Sequence, residues 1–240
     1  GSEMCIRDSN YAWEDGTFEA KDIGWNIVAR VIELPTFDGG TEKESGYSRG
    51  EQSAEMVTYD EKAMSVAVSA DNSANESGRF DQGTGTVYAT HADVYTVTVT
   101  LNNPEGITNY TWAEGTDTAE KTLSWTISPE VIYAPSFAGA AEDGKLTTEF
   151  KDTLSDATRS WVATPEEQTA AVNGYDDGAM SFVVSGEGSY SACGSVVATN
   201  AGVYTVTVTL KNSADIQNFV WAEGVGSDGT VTLTLSLIHI

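Results

Sequence analysis

Val94-Tyr95-Thr96-Val97-Thr98-Val99-Thr100-Leu101 returns 109 positions later as Val203-Tyr204-Thr205-Val206-Thr207-Val208-Thr209-Leu210. In each copy tyrosine, two valines and leucine alternate with threonine, and successive side chains of a strand point to opposite faces. One face is apolar and the other polar, the pattern of a strand packed on one side only. Met64-Ser65-Val66-Ala67-Val68, Met180-Ser181-Phe182-Val183-Val184 and Lys121-Thr122-Leu123-Ser124-Trp125-Thr126-Ile127 are further short apolar runs. Turn-formers such as Asp176-Asp177-Gly178 and Ser227-Asp228-Gly229 stand between them. No stretch carries a helical stripe, and the enrichment in Thr and Val favours strands. The expected fold class is all-β.

Other blocks repeat as well. Asn10-Tyr11-Ala12-Trp13-Glu14-Asp15-Gly16 recurs as Asn109-Tyr110-Thr111-Trp112-Ala113-Glu114-Gly115 and as Asn218-Phe219-Val220-Trp221-Ala222-Glu223-Gly224. Pro35-Thr36-Phe37-Asp38-Gly39 matches Pro135-Ser136-Phe137-Ala138-Gly139. A period near one hundred residues is too long for a solenoid unit and fits one domain per repeat. The blocks divide the chain into a C-terminal remnant of a preceding repeat (10–32), a full repeat (33–128) and a second repeat shortened in its last strand (129–234). The junction Ile127-Ser128-Pro129-Glu130-Val131 is short, lacks glycine and contains a proline that fixes φ. Adjacent domains are therefore expected to be held end to end with limited bending.

Asn200-Ala201-Gly202-Val203-Tyr204-Thr205-Val206 has the layout of an immunoglobulin F strand, with Tyr204 two residues before the usual cysteine position. Val206, and Val97 in the earlier copy, stand in that cysteine position. With the Asn-aromatic-x-Trp blocks and Thr122-Leu123-Ser124-Trp125-Thr126-Ile127, the chain resembles the tandem bacterial immunoglobulin-like repeats of large secreted surface proteins. The likeness extends over about all of 10–234 and is weakest in 41–57 and 140–170. It implies tandem immunoglobulin-like β-sandwich domains without an inter-sheet disulfide. Tyr95 and Tyr204 become corner tyrosines whose hydroxyls tie back to backbone. Because His91-Ala92-Asp93 replaces Asn200-Ala201-Gly202, the tie at Tyr95 is expected to be the weaker.

The two ends read differently. Gly1-Ser2-Glu3-Met4-Cys5-Ile6-Arg7-Asp8-Ser9 back-translates to GGC TCG GAG ATG TGT ATA AGA GAC AG, which resembles a transposon adapter used in sequencing libraries. Leu235-Ser236-Leu237-Ile238-His239-Ile240 reads as the reverse complement of the same adapter's end. Residues 1–9 and 235–240 are accordingly read as adapter around a metagenomic fragment and set aside from fold reasoning. Val231, Leu233, Leu235 and Leu237 nonetheless keep one alternation, so a strand is expected through Leu237 with Leu235 in a tryptophan's place. The remnant 10–32 is expected to form at most a hairpin, since an isolated ribbon is marginal in water.

A net charge of −24, with 12 basic residues scattered singly, argues against nucleic-acid binding, which needs clustered Lys and Arg. No apolar run approaches the ~20 residues of a membrane span. Outside the adapter Cys193 is alone, which excludes an intrachain disulfide, and His91 is the one histidine. Neither has an identifiable catalytic partner, and no nucleophile, zinc or phosphate-loop motif occurs. No enzyme activity and no cofactor is expected. Asp71-Asn72-Ser73-Ala74-Asn75-Glu76-Ser77-Gly78 spaces oxygen atoms like a calcium loop, but Glu76 stands where that loop needs glycine. Trp13, Trp112 and Trp221 recur in register, as do Trp25 and Trp125, which indicates packing duties common to each repeat. Trp161 has no counterpart and is the candidate platform for a sugar ring or a partner's side chain, with edge packing as the alternative. The expectation is a non-enzymatic, extracellular, structural or adhesive protein whose repeats form a spacer or stalk on a bacterial surface. The alternatives are a carbohydrate- or host-protein-binding module and an accessory module of a secreted hydrolase.

Overall fold

The computed structural model describes residues 13–14, 16–17, 20–113, 115, 118–141, 145–149, 152–153, 164–165, 167–186, 189–191, 194–222 and 230–238. All regular elements among them are strands. In the first half these are β1 (Arg30–Ile32), β2 (Thr36–Phe37), β3 (Glu42–Gly46), β4 (Gln52–Val57), β5 (Met64–Ala70), β6 (Arg79–Asp81), β7 (Thr86–Ala89), β8 (Asp93–Leu101), β9 (Tyr110–Trp112) and β10 (Lys121–Ser128). They form one sheet in the order β2-β4-β7-β6, a second in the order β3-β10-β8-β5, and a ribbon β1-β9. The leading strand is split between the sheets. β2 pairs antiparallel with β4, and β3 then crosses over to pair parallel with β10. Gly39 and Gly40, at φ 109° and 129°, supply the bend between them, in a backbone region that side chains disfavour. Two facing four-stranded sheets of this order, with the leading strand shared between them, define an immunoglobulin-like sandwich.

The alternation in Val94-to-Leu101 settles which side faces inward. Tyr95, Val97 and Val99 are fully buried in β8, while the threonines between them are half-exposed. β10 runs antiparallel beside it with Trp125 opposite Tyr95 and Leu123 opposite Val97. Trp125, Leu123 and Ile127 are buried on the same side. Across the sandwich Phe37, Ala54, Met56 and Val87 complete one core with them. Burial of each large side chain of this kind contributes about 1.5–3 kcal/mol, which is what closes two sheets with no disulfide between them.

The second half repeats the plan with β11 (Glu130–Ile132), β12 (Ser136–Phe137), β13 (Lys145–Glu149), β14 (Asp152–Thr153), β15 (Thr164–Pro165), β16 (Gln168–Asn173), β17 (Met180–Val184), β18 (Ser189–Ser191), β19 (Ser195–Ala198), β20 (Gly202–Leu210), β21 (Phe219–Trp221) and β22 (Thr230–Ile238). The sheets are β12-β16-β19-β18 and β13-β22-β20-β17, with ribbons β11-β21 and β14-β15. A second, separate core runs from Ile132 to Leu235. The chain is thus a tandem pair of immunoglobulin-like β-sandwiches.

Two features at the ends qualify the sequence reading. Arg30–Ile32, assigned above to the preceding repeat's remnant, pairs parallel with β9, and Ile32 is buried in the first core. Its counterpart β11 pairs with β21 in the same way, so the division between Ile32 and Glu33 separates Ile32 from the core that it belongs to. Residues 20–29 carry no strand, and Ile23, Trp25 and Ile27 are exposed. The described part of the remnant shows a turn, with Trp13 N–H donating to Thr17 O at 2.9 Å, within the expectation of at most a hairpin. Among the described residues before Arg30 no sheet receives the apolar side chains. At the other end β22 continues to Ile238, and Leu235 lies opposite Tyr204 as Trp125 lies opposite Tyr95. Among the described residues no helix is long and apolar enough to cross a membrane.

Candidate functional site at the interdomain joint

Of the residues singled out from sequence, Tyr95, Trp112, Trp125 and Tyr204 lie in the two cores and Trp221 packs against the second. The Tyr95 hydroxyl donates to His91 O at 2.8 Å, and the Tyr204 hydroxyl donates to Asn200 O at 2.8 Å. Trp112 is buried and its Nε1–H donates to Ala119 O at 2.8 Å. Trp221 is half-buried, Trp125 is buried, and the remnant's Trp13 and Trp25 are exposed. The Asp71-to-Gly78 string caps Tyr95: Asn75 is buried, donates from Nδ2 to the Tyr95 hydroxyl at 2.8 Å, and accepts at Oδ1 from Ser77. Its oxygen-rich composition serves this hydrogen-bond network. Trp161, the candidate ligand platform, and Cys193 lie outside the described residues.

What the sequence reading did not single out is the surface where the sandwiches meet. Tyr47, just past β3, donates its N–H to Ser128 O at 2.8 Å, which fixes it beside the linker. Its ring packs against both cores and meets Phe219 of β21 edge-on, with centroids 5.5 Å apart at 83°. Such an edge-to-face pair contributes about 0.5–1.5 kcal/mol beyond area burial. Burial raises the Tyr47 phenol's pKa, with Glu130 adding to the shift and Arg49 opposing it.

Arg49 follows two residues later in a left-handed backbone conformation, φ 63°, which costs free energy for a side chain of this kind. From there its guanidinium forks between two carboxylates of the second sandwich. Nε and Nη2 donate to Glu130 at 2.7 Å each, and Nη1 and Nη2 donate to Asp176 at 3.1 and 2.5 Å. Its plane also lies over Phe219, 5.6 Å from the ring centre. A Cβ added to Gly178 would come within 2.9 Å of Nη1, so a side chain there would push the guanidinium from its present place. On the opposite side Asn218 Oδ1 accepts from Ala92 N–H at 2.9 Å, which leaves its Nδ2 to donate to His91 Nδ1 at 3.1 Å. Asn72 Nδ2 donates to the Asp215 carbonyl.

The joint therefore has an aromatic centre flanked by an arginine fork and an amide bridge, across a linker stiffened by Pro129. The ion pairs are about one-third exposed and screened by salt, so the fork sets orientation more than stability. The hydrogen bonds from Arg49 hold the Asp176 carboxyl below the usual carboxylate range despite some desolvation. The sign follows from linkage. A carboxyl whose pKa is depressed in the closed joint favours closure above its ordinary pKa, and that contribution is withdrawn as pH falls through the depressed value. Acidification from neutral pH to below the ordinary carboxylate range is expected to loosen the joint, measured by NMR relaxation as a fall in each domain's rotational correlation time. An unchanged correlation time in acid, with both domains folded, would count against the fork.

No protein-family model matches the chain, and no curated protein sequence matches it. Among solved structures, Drosophila OTK extracellular domains 3–5 align over 88% of this chain and 64% of that one, at 11% identity and TM-score 0.28. Drosophila N-cadherin EC1-4 aligns over 88% of this chain and 50% of that one, at 11% identity and TM-score 0.29. The titin domains z1z2, crystallised with telethonin, align over 89% of this chain and 100% of that one, at 13% identity and TM-score 0.30. The chain spans less than two thirds of the first two. At these scores the fold assignment rests on strand order and register, and not on the likeness.

Proposed function

We propose that this chain is a piece of a non-enzymatic, extracellular stalk, in which immunoglobulin-like repeats act as a stiff spacer on a bacterial surface and hold an adhesive or other functional part away from it. The observation that carries this reading is Tyr47, which packs against both cores at once and so joins two domains through a common apolar contact. A flexible tether between independent binding modules would have no use for such a residue, nor for the strained backbone that aims Arg49. The acidic surface, with net charge −24, keeps an extended rod soluble and discourages lateral association. The bacterial setting is supported by the resemblance of the repeats. Under this reading each sandwich, one from about residue 30 to 128 and the other from 129 onward, is a separately folding unit.

Small-angle scattering on the chain tests it. The wild type is expected to give a single extended distance distribution, and Arg49→Ala combined with Asn218→Ala to broaden it and shorten its mean, with both domains still folded. A wild-type profile already as broad as the variant's would sink the spacer reading.

A further inference from the structure

The molecule carries the joint's receiving pole twice, and the two versions differ in charge. On the second sandwich this pole consists of Glu130 at the start of β11, Asp176 and Gly178 in the turn before β17, and Asn218 and Phe219. The first sandwich has Arg30, Asp60, Lys62, Asn109 and Tyr110 in the same places. Strand register fixes two of these equivalences: Arg30 pairs with Tyr110 as Glu130 pairs with Phe219. Turn geometry fixes two more, since Asp60 Oδ1 accepts from Lys62 N–H at 3.0 Å as Asp176 Oδ1 accepts from Gly178 N–H at 3.0 Å.

Among the described residues nothing covers the first sandwich's pole as the joint covers the second's. Asn109 and Ile107 are exposed, whereas Asn218 and Ile216, their counterparts inside the joint, are half-buried. Where Arg49 reaches in on the second sandwich, the first has a groove of about 490 Å³ whose lining includes Arg30, Tyr59, Asp60 and Lys62, together with Glu33 and Glu61. Arg30 already pairs with Asp60 at 2.9 Å. An arginine arriving as Arg49 does would face Arg30 in place of Glu130 and the Lys62 ammonium in place of Gly178. A carboxylate arriving there would meet those two cations in the places of Glu130 and Gly178, with Asp60, Glu33 and Glu61 also lining the groove.

We propose that this pole is a second docking face of the same joint with reversed charge preference, and that it receives a repeat of this fold bearing a carboxylate in the place of Arg49. Residues 30, 60 and 62, with their counterparts 130, 176 and 178, then form a code that decides which repeat can follow which. A repeat with an Arg49-type pole can precede the second sandwich but not another copy of the first, because the like charges repel. Unmatched charges placed face to face exclude wrong neighbours more effectively than matched charges strengthen right ones. The inference rests on the stiff-spacer reading, since a code has meaning only where neighbours dock.

The code can be tested in the chain itself by rewriting the second sandwich's pole as the first's. Glu130→Arg with Gly178→Lys is expected to open the joint, so that the NMR rotational correlation time of each domain falls toward that of a single domain. Adding Arg49→Glu to those two changes is expected to restore one common correlation time. An unopened joint in the double variant, or a triple variant that stays open, would overturn the proposal. Should the double change unfold the second sandwich, Gly178→Lys alone gives the same test on one of the two charges: loosening is expected, and an unaltered joint overturns the proposal. If the wild type itself tumbles as two independent bodies, the spacer reading fails. If the wild type is one body and only the rescue fails, the code fails alone.

Discussion

Trp125→Ala is expected to lower the stability of the first sandwich by about 3–5 kcal/mol and to leave the second sandwich's transition in place. The indole is almost completely buried at the middle of β10, lies 5.9 Å from the Tyr95 ring, and donates from Nε1 to Ser45 Oγ at 2.9 Å. It therefore fills the space between the sheets and also ties β10 to β3, the parallel strand that crosses over from the other sheet. Truncation removes the packing, opens a cavity and leaves the hydroxyl without this donor. Against a total stability of about 5–15 kcal/mol for a domain, that loss is a large fraction. Denaturant unfolding of the chain should then show two separated transitions. A loss below about 1 kcal/mol would mean that the site collapses around the alanine and that the tryptophan is not the keystone described here. Leu235 offers an internal comparison, since it occupies the same register opposite Tyr204 with a smaller side chain and is still buried.

The strands that form this core could be read from the sequence because their burial alternates with the chemical alternation. β8 and β20 announce themselves by tyrosine and valine between threonines, and β10 by Leu123, Trp125 and Ile127. β3 could not be read so. Glu42-Lys43-Glu44-Ser45-Gly46 is polar throughout, and it is a strand because β10 offers it a parallel edge, which is a tertiary cause. β1 was missed for a similar reason: three residues beside exposed remnant sequence form a strand, and Ile32 joins the first core, because β9 pairs with them.

Of the joint, only the short linker and its Pro129 could be read from the sequence. Arg49 is one of 12 scattered basic residues, and Glu130 and Asp176 are two of 36 carboxylates, so nothing in composition marks them. They are separated by 81 and 127 positions and meet only because the sandwiches stack end to end. One signal was present in the sequence. With the repeats aligned, Arg30 stands against Glu130 and Lys62 against Gly178, a double change at two places in otherwise similar segments.

The two corner tyrosines are expected to separate in a way that the sequence reading reversed. With His91, Ala92 and Asp93 ahead of it, Tyr95 was expected to hold its turn less firmly than Tyr204. In the structure both hydroxyls donate to the carbonyl four residues back at the same 2.8 Å, so the altered turn leaves that bond intact. Tyr95 has more around it. The buried Asn75 side chain donates from Nδ2 to its hydroxyl and to Asp93 Oδ2 at 2.8 and 2.9 Å, and Asn75 Oδ1 accepts from the Ser77 N–H and hydroxyl. Tyr95→Phe removes the proton that satisfies the His91 carbonyl and the oxygen that receives a buried amide. Stranding two partners puts the cost toward the upper part of about 1–3 kcal/mol. Tyr204→Phe strands one carbonyl at the margin of β20, where water can replace the lost donor, and should cost about 0.5–1.5 kcal/mol. The two substitutions report on different domains, so denaturant midpoints followed in the same chain compare them directly. If Tyr95→Phe proves no more damaging than Tyr204→Phe, the loop from Asp71 to Gly78 contributes nothing through Asn75. The oxygen-rich string would then need another explanation than the roof it forms over Tyr95.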